Sequence, residues 1–143
     1  MERNNSHNER HLVDLGLALN PIDRLNFLVS FDYGYEENAI GSQNAHWTGA
    51  FVVARYKVTE HFEPAFRVEY YNDPQGFTTG VDQDLLGLTL TLNYRFDLPG
   101  GFHLLLRPEY RYDHSSSHFF TKGDNFRGGK EQHTLGMGVV LYY

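Results

Sequence analysis

Two arginine–carboxylate runs carry the densest charge in the chain. The first is Arg67-Val68-Glu69. The second is Arg107-Pro108-Glu109-Tyr110-Arg111-Tyr112-Asp113. In both, a charged residue returns at every second position. Residues two apart share one face of a β-strand, so each run makes a row of alternating charge. Such a row can line water and set a field for passing ions. Alternatively its members pair with one another and brace a wall. Arg55, Lys57 and Arg95 add cations to the same face, and Asp14, Asp32, Glu36 and Glu63 add carboxylates. The signs are nearly balanced but unevenly placed. Arg55, Lys57 and Arg95 lie toward the short connections of the chain, whereas Asp32, Glu36 and Asp113 lie toward the long ones. Bracing is the plainer reading, and an axial field is the functional one.

Other chemistry is thin. His7, His11, His46, His61, His103, His114, His118 and His133 are scattered without ligand spacing. Asp113-His114-Ser115 holds the residue types of a hydrolytic triad, but a triad is made by geometry and not by adjacency. A polar surface loop explains it more simply. Asp82-Gln83-Asp84 does not complete a calcium-loop pattern. The chain has no Cys, which excludes disulfides and thiolate chemistry. The reading is therefore of a non-enzyme with no catalytic residues, no cofactor and no metal. Net charge is −6 with the signs interspersed. That argues against a nucleic-acid partner, which needs a concentrated basic surface.

The charged rows must be positioned by strands, because period two dominates the sequence. Leu86, Leu88, Leu90, Leu92, Tyr94 and Phe96 alternate with Gly87, Thr89, Thr91, Asn93 and Arg95. A helix would need apolar residues at i, i+3 and i+4. Six further runs alternate in the same way, over about residues 13–19, 25–35, 50–58, 62–70, 102–112 and 135–143. Several are as long as the roughly 9–11 residues that a tilted strand needs to cross a bilayer. Short turns (20–23, 59–61 and 97–101) alternate with long polar stretches (37–45, 72–82 and 114–132). Transmembrane barrels sort their connections by end in this way. Pro64 and Pro108 interrupt the pattern and predict a bulge or an unpaired site, since each lacks a ladder donor.

A soluble barrel would also alternate, with its apolar face inward. Here aliphatics such as Val29, Val52, Val68, Leu90 and Leu106 sit mid-strand. Aromatics collect at the strand ends, with Phe27, Phe62, Tyr94, Phe96, Phe102 and Tyr143 near the short turns. Tyr33, Tyr35, Tyr70, Tyr110 and Tyr112 lie near the long loops. Two aromatic belts around an aliphatic band match two membrane interfaces. The apolar face is therefore expected to meet lipid. Arg55, Lys57, Arg67, Glu69, Arg95, Arg107, Glu109, Arg111 and Asp113 are expected to face the lumen. The last strand presents Leu135, Met137, Val139, Leu141 and Tyr143 at every second position. It resembles the C-terminal signal that outer-membrane barrels offer to their assembly machinery.

Phe62, Arg67, Glu69, Tyr70 and Asp73 recur forty residues later as Phe102, Arg107, Glu109, Tyr110 and Asp113. One hairpin with its connections accounts for that period. With Arg107-Pro108-Glu109-Tyr110-Arg111-Tyr112-Asp113 and the closing strand to Tyr143, the chain resembles the OmpL-like family of β-barrel porins over residues 47–143. The resemblance implies a channel-forming barrel in the outer membrane of a Gram-negative type envelope, with no assigned substrate.

The expected fold is all-β: an antiparallel up-and-down transmembrane barrel occupying residues 1–143 as one domain. About seven strands are visible. A bacterial barrel has an even strand number. No apolar signal core precedes the first strand. The chain is therefore expected to be an open C-terminal part of a larger barrel, with residues 1–10 a remnant of an extracellular loop. The expected partners are outer-membrane lipid, the barrel assembly machinery and small solutes or ions; oligomeric state is not legible. A structural or adhesive barrel with a plugged lumen is the alternative, and an outer-membrane enzyme a more distant one.

Overall fold

The computed structural model describes residues 9–143, and only the backbone of residues 125–127. The expected loop remnant at residues 1–10 lies mostly outside the described residues. Arg10 already belongs to the first strand. The strands are β1 (Arg10–Ile22), β2 (Leu25–Ile40), β3 (Gln43–Tyr56), β4 (Phe62–Asp73), β5 (Gln83–Asp97), β6 (His103–Ser115), β7 (Phe120–Lys122), β8 (Asn125–Gly129) and β9 (Glu131–Tyr142). Seven form one antiparallel sheet in the order β1-β2-β3-β4-β5-β6-β9, while β7 and β8 make a separate small hairpin. Among the described residues, no helix is long and apolar enough to cross a membrane.

The alternating runs locate all seven long strands. Three connections differ from expectation. Residues 37–45 are not a loop, because β2 and β3 continue past the apolar runs to Ile40 and Gln43, with a register shift after Glu36. That part of the hairpin carries Ala39, Ile40 and Ala45 among polar residues without an apolar residue at every second position, so period two does not show. Only Gly41 and Ser42 turn the chain, and the φ of 67° at Gly41 suits a residue without a Cβ. β1 likewise runs through Asn20 and Pro21 to Ile22 with a shift after Leu19. The long 114–132 stretch hides the β7–β8 hairpin, whose strands are too short to establish a period.

The prolines find two different accommodations. His61 C=O accepts from Arg95 N at 2.8 Å and Phe62 C=O from Val58 N at 3.0 Å, so successive β4 backbone groups alternate between β5 and β3. Pro64 therefore turns its nitrogen toward β3, whose ladder with β4 ends at Arg55–Ala65. Its missing donor falls just beyond that ladder. Pro108 faces β5 by the same parity, since Phe102 C=O accepts from Leu98 N. The β5–β6 ladder skips from Thr91–Glu109 to Tyr94–Leu106 with no change of register. Pro108 thus makes an unpaired site, and neither proline makes a bulge.

Burial across the sheet is inverted relative to a globular protein. Ala45 is the one buried hydrophobic among the described residues. On β5, Thr89 and Thr91 are each 7% exposed, whereas Leu90 between them is 41% exposed. Phe31, Val52, Phe66, Val68 and Leu86 are also open on the apolar face. The sheltered face is the polar one. The aromatic ends appear as contacts too. Phe62 stacks on Tyr94 at 4.6 Å, Phe102 meets Tyr143 edge-on at 6.2 Å, and Tyr110 and Tyr112 flank His133.

β1 and β9 are the two edges, and no ladder joins them among the described residues. Each neighbour in the sheet is antiparallel, so the first and seventh strands run the same way.

At the long-connection end, Trp47 lies across its cross-strand partner Gly34 and meets Phe77 at 5.7 Å. A Cβ at Gly34 would fall inside the indole, whereas one at Gly16 would meet nothing within 4 Å. Gly34→Val should therefore displace the single Trp and cost roughly 1–3 kcal/mol, the usual scale of overpacking. Trp fluorescence should shift red and the denaturant midpoint should fall. Gly16→Val is expected to change neither.

Candidate functional site

All nine expected charged residues lie on one face. Arg67 on β4 shares a register row with Arg111 on β6, and Glu69 with Asp113, while Arg95 on β5 and Arg107 and Glu109 on β6 lie on other rows of the same face. Arg55 belongs to the same face of β3, and Lys57 follows the last residue of that strand. The registers do not align the two copies of the internal repeat. Arg67 pairs with Thr89 and Thr89 with Arg111, so Arg67 shares a row with Arg111 and not with its repeat counterpart Arg107. Sequence spacing alone does not reveal this stagger.

The stagger builds one continuous ion network. Glu69 bridges both Arg67 and Arg111. Arg111 Nη2 also reaches Asp113 Oδ1 at 2.7 Å, and its Nε donates to Asp113 Oδ2 at 2.9 Å. The Arg67 guanidinium lies 4.7 Å from the centre of the Phe51 ring, a favourable stacking arrangement. Glu69 and Asp113 keep only 19% and 16% of their side chains exposed. Arg67, Glu69, Arg111 and Asp113 are thus joined by ion pairs to one another.

Gly87 makes the network possible, and the sequence reading passed over it. It sits between Glu69 and Asp113 on their row. A Cβ there would lie 2.6 Å from Glu69 Cγ and Oε1 and 3.0 Å from Arg111 Nη2. Only a residue without a side chain lets β4 and β6 reach each other across β5. Mid-strand glycine often marks such a close approach.

The remaining charges behave differently. Lys57 pairs with Glu60 at 2.9 Å, and the Lys57 ammonium bonded to Glu60 holds that carboxylate below its usual range. Arg95 lies 3.4 Å from Asp97, which also accepts His103 at 2.7 Å and lies 3.7 Å from His61. Two of the apparently scattered histidines thus meet at the short-turn rim. Glu109 accepts from Thr91 at 2.7 Å and has no ion-pair partner among the described residues. Arg55 and Arg107 have no hydrogen-bond or ion-pair partner among them. Arg55, Arg95 and Arg107 line a groove of about 690 Å³ with Lys57, Glu63 and Glu109. A second cavity of about 420 Å³ lies nearer the long connections. Phe119 and Phe120 at the base of the β7–β8 hairpin line it together with Asp32, Tyr71 and Asp113.

The triad residue types do not converge. Asp113 turns to Arg111, and Ser115 Oγ donates to Gln83 in a buried pair. His114 lies on the opposite face and approaches Glu131 at 3.7 Å. Among the described residues, no group of three or more His, Asp or Glu is arranged to hold a metal ion. Asp73, matched to Asp113 in the repeat, has a separate role. Its carboxylate accepts five hydrogen bonds of 2.8–2.9 Å from Phe77, Thr78 and Thr79. It ties the 74–82 loop to the rim of the sheet, a link the repeat did not signal.

Leu135, Met137, Val139 and Leu141 share the apolar face of β9 and are 61–83% exposed. Tyr143 lies just past the strand.

The family model described as Putative beta-barrel porin-2, OmpL-like, matches residues 1–142, and the chain belongs to that family. No curated protein and no solved structure matches the chain.

Gly87→Val should separate Glu69 from Arg111 and leave two partly buried charges short of a partner. Losing a charged hydrogen bond of this kind costs about 1.5–3 kcal/mol. Glu69→Gln should cost a similar amount, and the double variant little more than the worse single one. Denaturant midpoints of the three variants measure this; simple additivity would contradict it.

Proposed function

We propose that this member of the OmpL-like porin-2 family forms part of the wall of an outer-membrane β-barrel, through which small polar solutes or ions diffuse passively. The inverted burial carries the reading. A sheet whose leucines and phenylalanines are open while its threonines are sheltered suits a surrounding of lipid and an interior of water. In this reading Arg55, Lys57, Arg67, Glu69, Arg95, Arg107, Glu109, Arg111 and Asp113 face the lumen. The end that carries the Gly41-Ser42 turn, the 74–82 loop and the β7–β8 hairpin stands outside the cell, and the opposite end stands in the periplasm. Strands of 12 to 16 residues are long enough to cross the bilayer with a tilt.

The two unpaired edges extend the reading. Lipid does not tolerate rows of free backbone donors and acceptors. Because β1 and β9 run in the same direction, antiparallel closure needs an odd number of further strands between them. Such strands would complete a larger barrel of even strand number.

A second reading, a barrel with a filled interior, draws on the β7–β8 hairpin, whose Phe119 and Phe120 line a cavity with residues of the polar face. Conductance separates the two. The native protein reconstituted in planar bilayers should give discrete, stable current steps in KCl. Properly inserted protein that passes no current would favour the filled barrel.

Assembly supplies a further expectation. In this reading Leu135, Met137, Val139, Leu141 and Tyr143, alternating along β9 and just past it, form a signal for barrel assembly machinery. Deleting Tyr143 should lower the folded fraction in the outer membrane, seen as a loss of heat-modifiable gel mobility. Unchanged insertion would remove this role from the terminal strand.

A further inference from the structure

The free edge of β9 is matched to a particular kind of neighbour. In the network already described, Arg111 and Asp113 lie two apart on β6, and Gly87 stands opposite Asp113 on the adjacent strand. A carboxylate from the next strand over, Glu69, crosses that glycine to reach Arg111. The same arrangement recurs on the other side of β6. Arg107 and Glu109 lie two apart, and Gly136 of β9 stands opposite Glu109. Here the network stops, because β9 is the edge of the sheet.

The unfinished side has the corresponding vacancy in its charges. Arg107 has no hydrogen-bond or ion-pair partner among the described residues. Glu109, the carboxylate next to it on β6, leans to Thr91 on β5 instead. Arg107 stands directly opposite Gly138 of β9, its Cβ 3.4 Å and its Cδ 3.9 Å from where a Cβ of Gly138 would stand. Above Gly136 the space is open, with nothing within 4 Å of a Cβ placed there. Strands are about 4.8 Å apart. A side chain on the next strand would therefore stand as far from Arg107 as Glu69 stands from Arg111.

We propose that β9 pairs with an amphipathic β-strand, antiparallel to it, that carries an Asp or Glu opposite Gly136, and that this carboxylate crosses the glycine to bridge Arg107. The inference rests on the barrel reading, and it adds which strand the edge accepts. Hydrogen bonding alone would accept any strand in any register. One carboxylate that must meet Arg107 across a glycine fixes a single register, because a slip of one residue turns it to the lipid face.

The test uses the native protein in detergent and in membranes. Within this chain Gly136→Val should be harmless, since the site is open and Val suits a strand. With a carboxylate crossing over Gly136, the same change blocks the bridge. The expected result is a lower urea midpoint for Gly136→Val and for Arg107→Gln, with the double variant no worse than the worse single one. A Gly136→Val midpoint equal to or above the parent overturns the proposal. A photoreactive residue at Thr134, followed by mass spectrometry of the captured peptide, gives an independent answer. The proposal requires a strand with Asp or Glu in register with Gly136. A captured strand without that carboxylate overturns the pairing rule and leaves the barrel reading standing. No captured strand, together with no conductance in bilayers, overturns both.

Discussion

A β-sheet with an apolar face must put that face against something, and among the described residues nothing packs on it. Fully burying a Leu, Val or Phe side chain is worth roughly 1.5–3 kcal/mol. Seven strands leave Leu15, Phe31, Phe66, Leu90 and Met137, among many others, open. No internal core offsets this, since Ala45 is the one buried hydrophobic among the described residues. The rest of the structure follows from that requirement. In the proposed reading a lipid surround supplies the missing burial, and it then forbids charge on the outer face and unpaired backbone at the edges. Charge collects on the sheltered face, and aromatic side chains mark the two ends of the strands.

The sheltered face shows how charges are held once they are gathered there. Glu69, Arg111 and Asp113 bridge three strands through the gap at Gly87. That network is structural in the simple sense that each charge has a partner. The Arg55 side chain has none among the described residues, and it lines the groove nearer the short turns.

Alternation of the side chains made the seven long strands and their two faces legible. It failed where apolar residues do not recur at every second position, as in residues 37–45, and where strands are very short, as in Phe120–Lys122. The face of each charged residue was also legible, because parity fixes it. The partners were not. Register is set between strands, and the step from Arg67 through Thr89 to Arg111 cannot be read from a repeat spaced at forty residues. Gly87 and Asp73 were missed for related reasons. A glycine has no side chain to mark what crosses it, and Asp73 acts through a loop whose course depends on Asp73 itself.

The most direct measurement of the central claim follows the two faces of one strand in the membrane. The chain has no Cys, so single-cysteine spin labels at successive positions from 86 to 95 on β5 report one site each. Collision with oxygen reports lipid, and collision with a water-soluble nickel chelate reports water. Labels at the even positions, including those of Leu88, Leu90 and Leu92, should favour oxygen. Labels at the odd positions, including those of Thr89, Thr91 and Asn93, should favour the chelate, in strict alternation. The opposite phase, or no alternation, would contradict an apolar face that meets lipid.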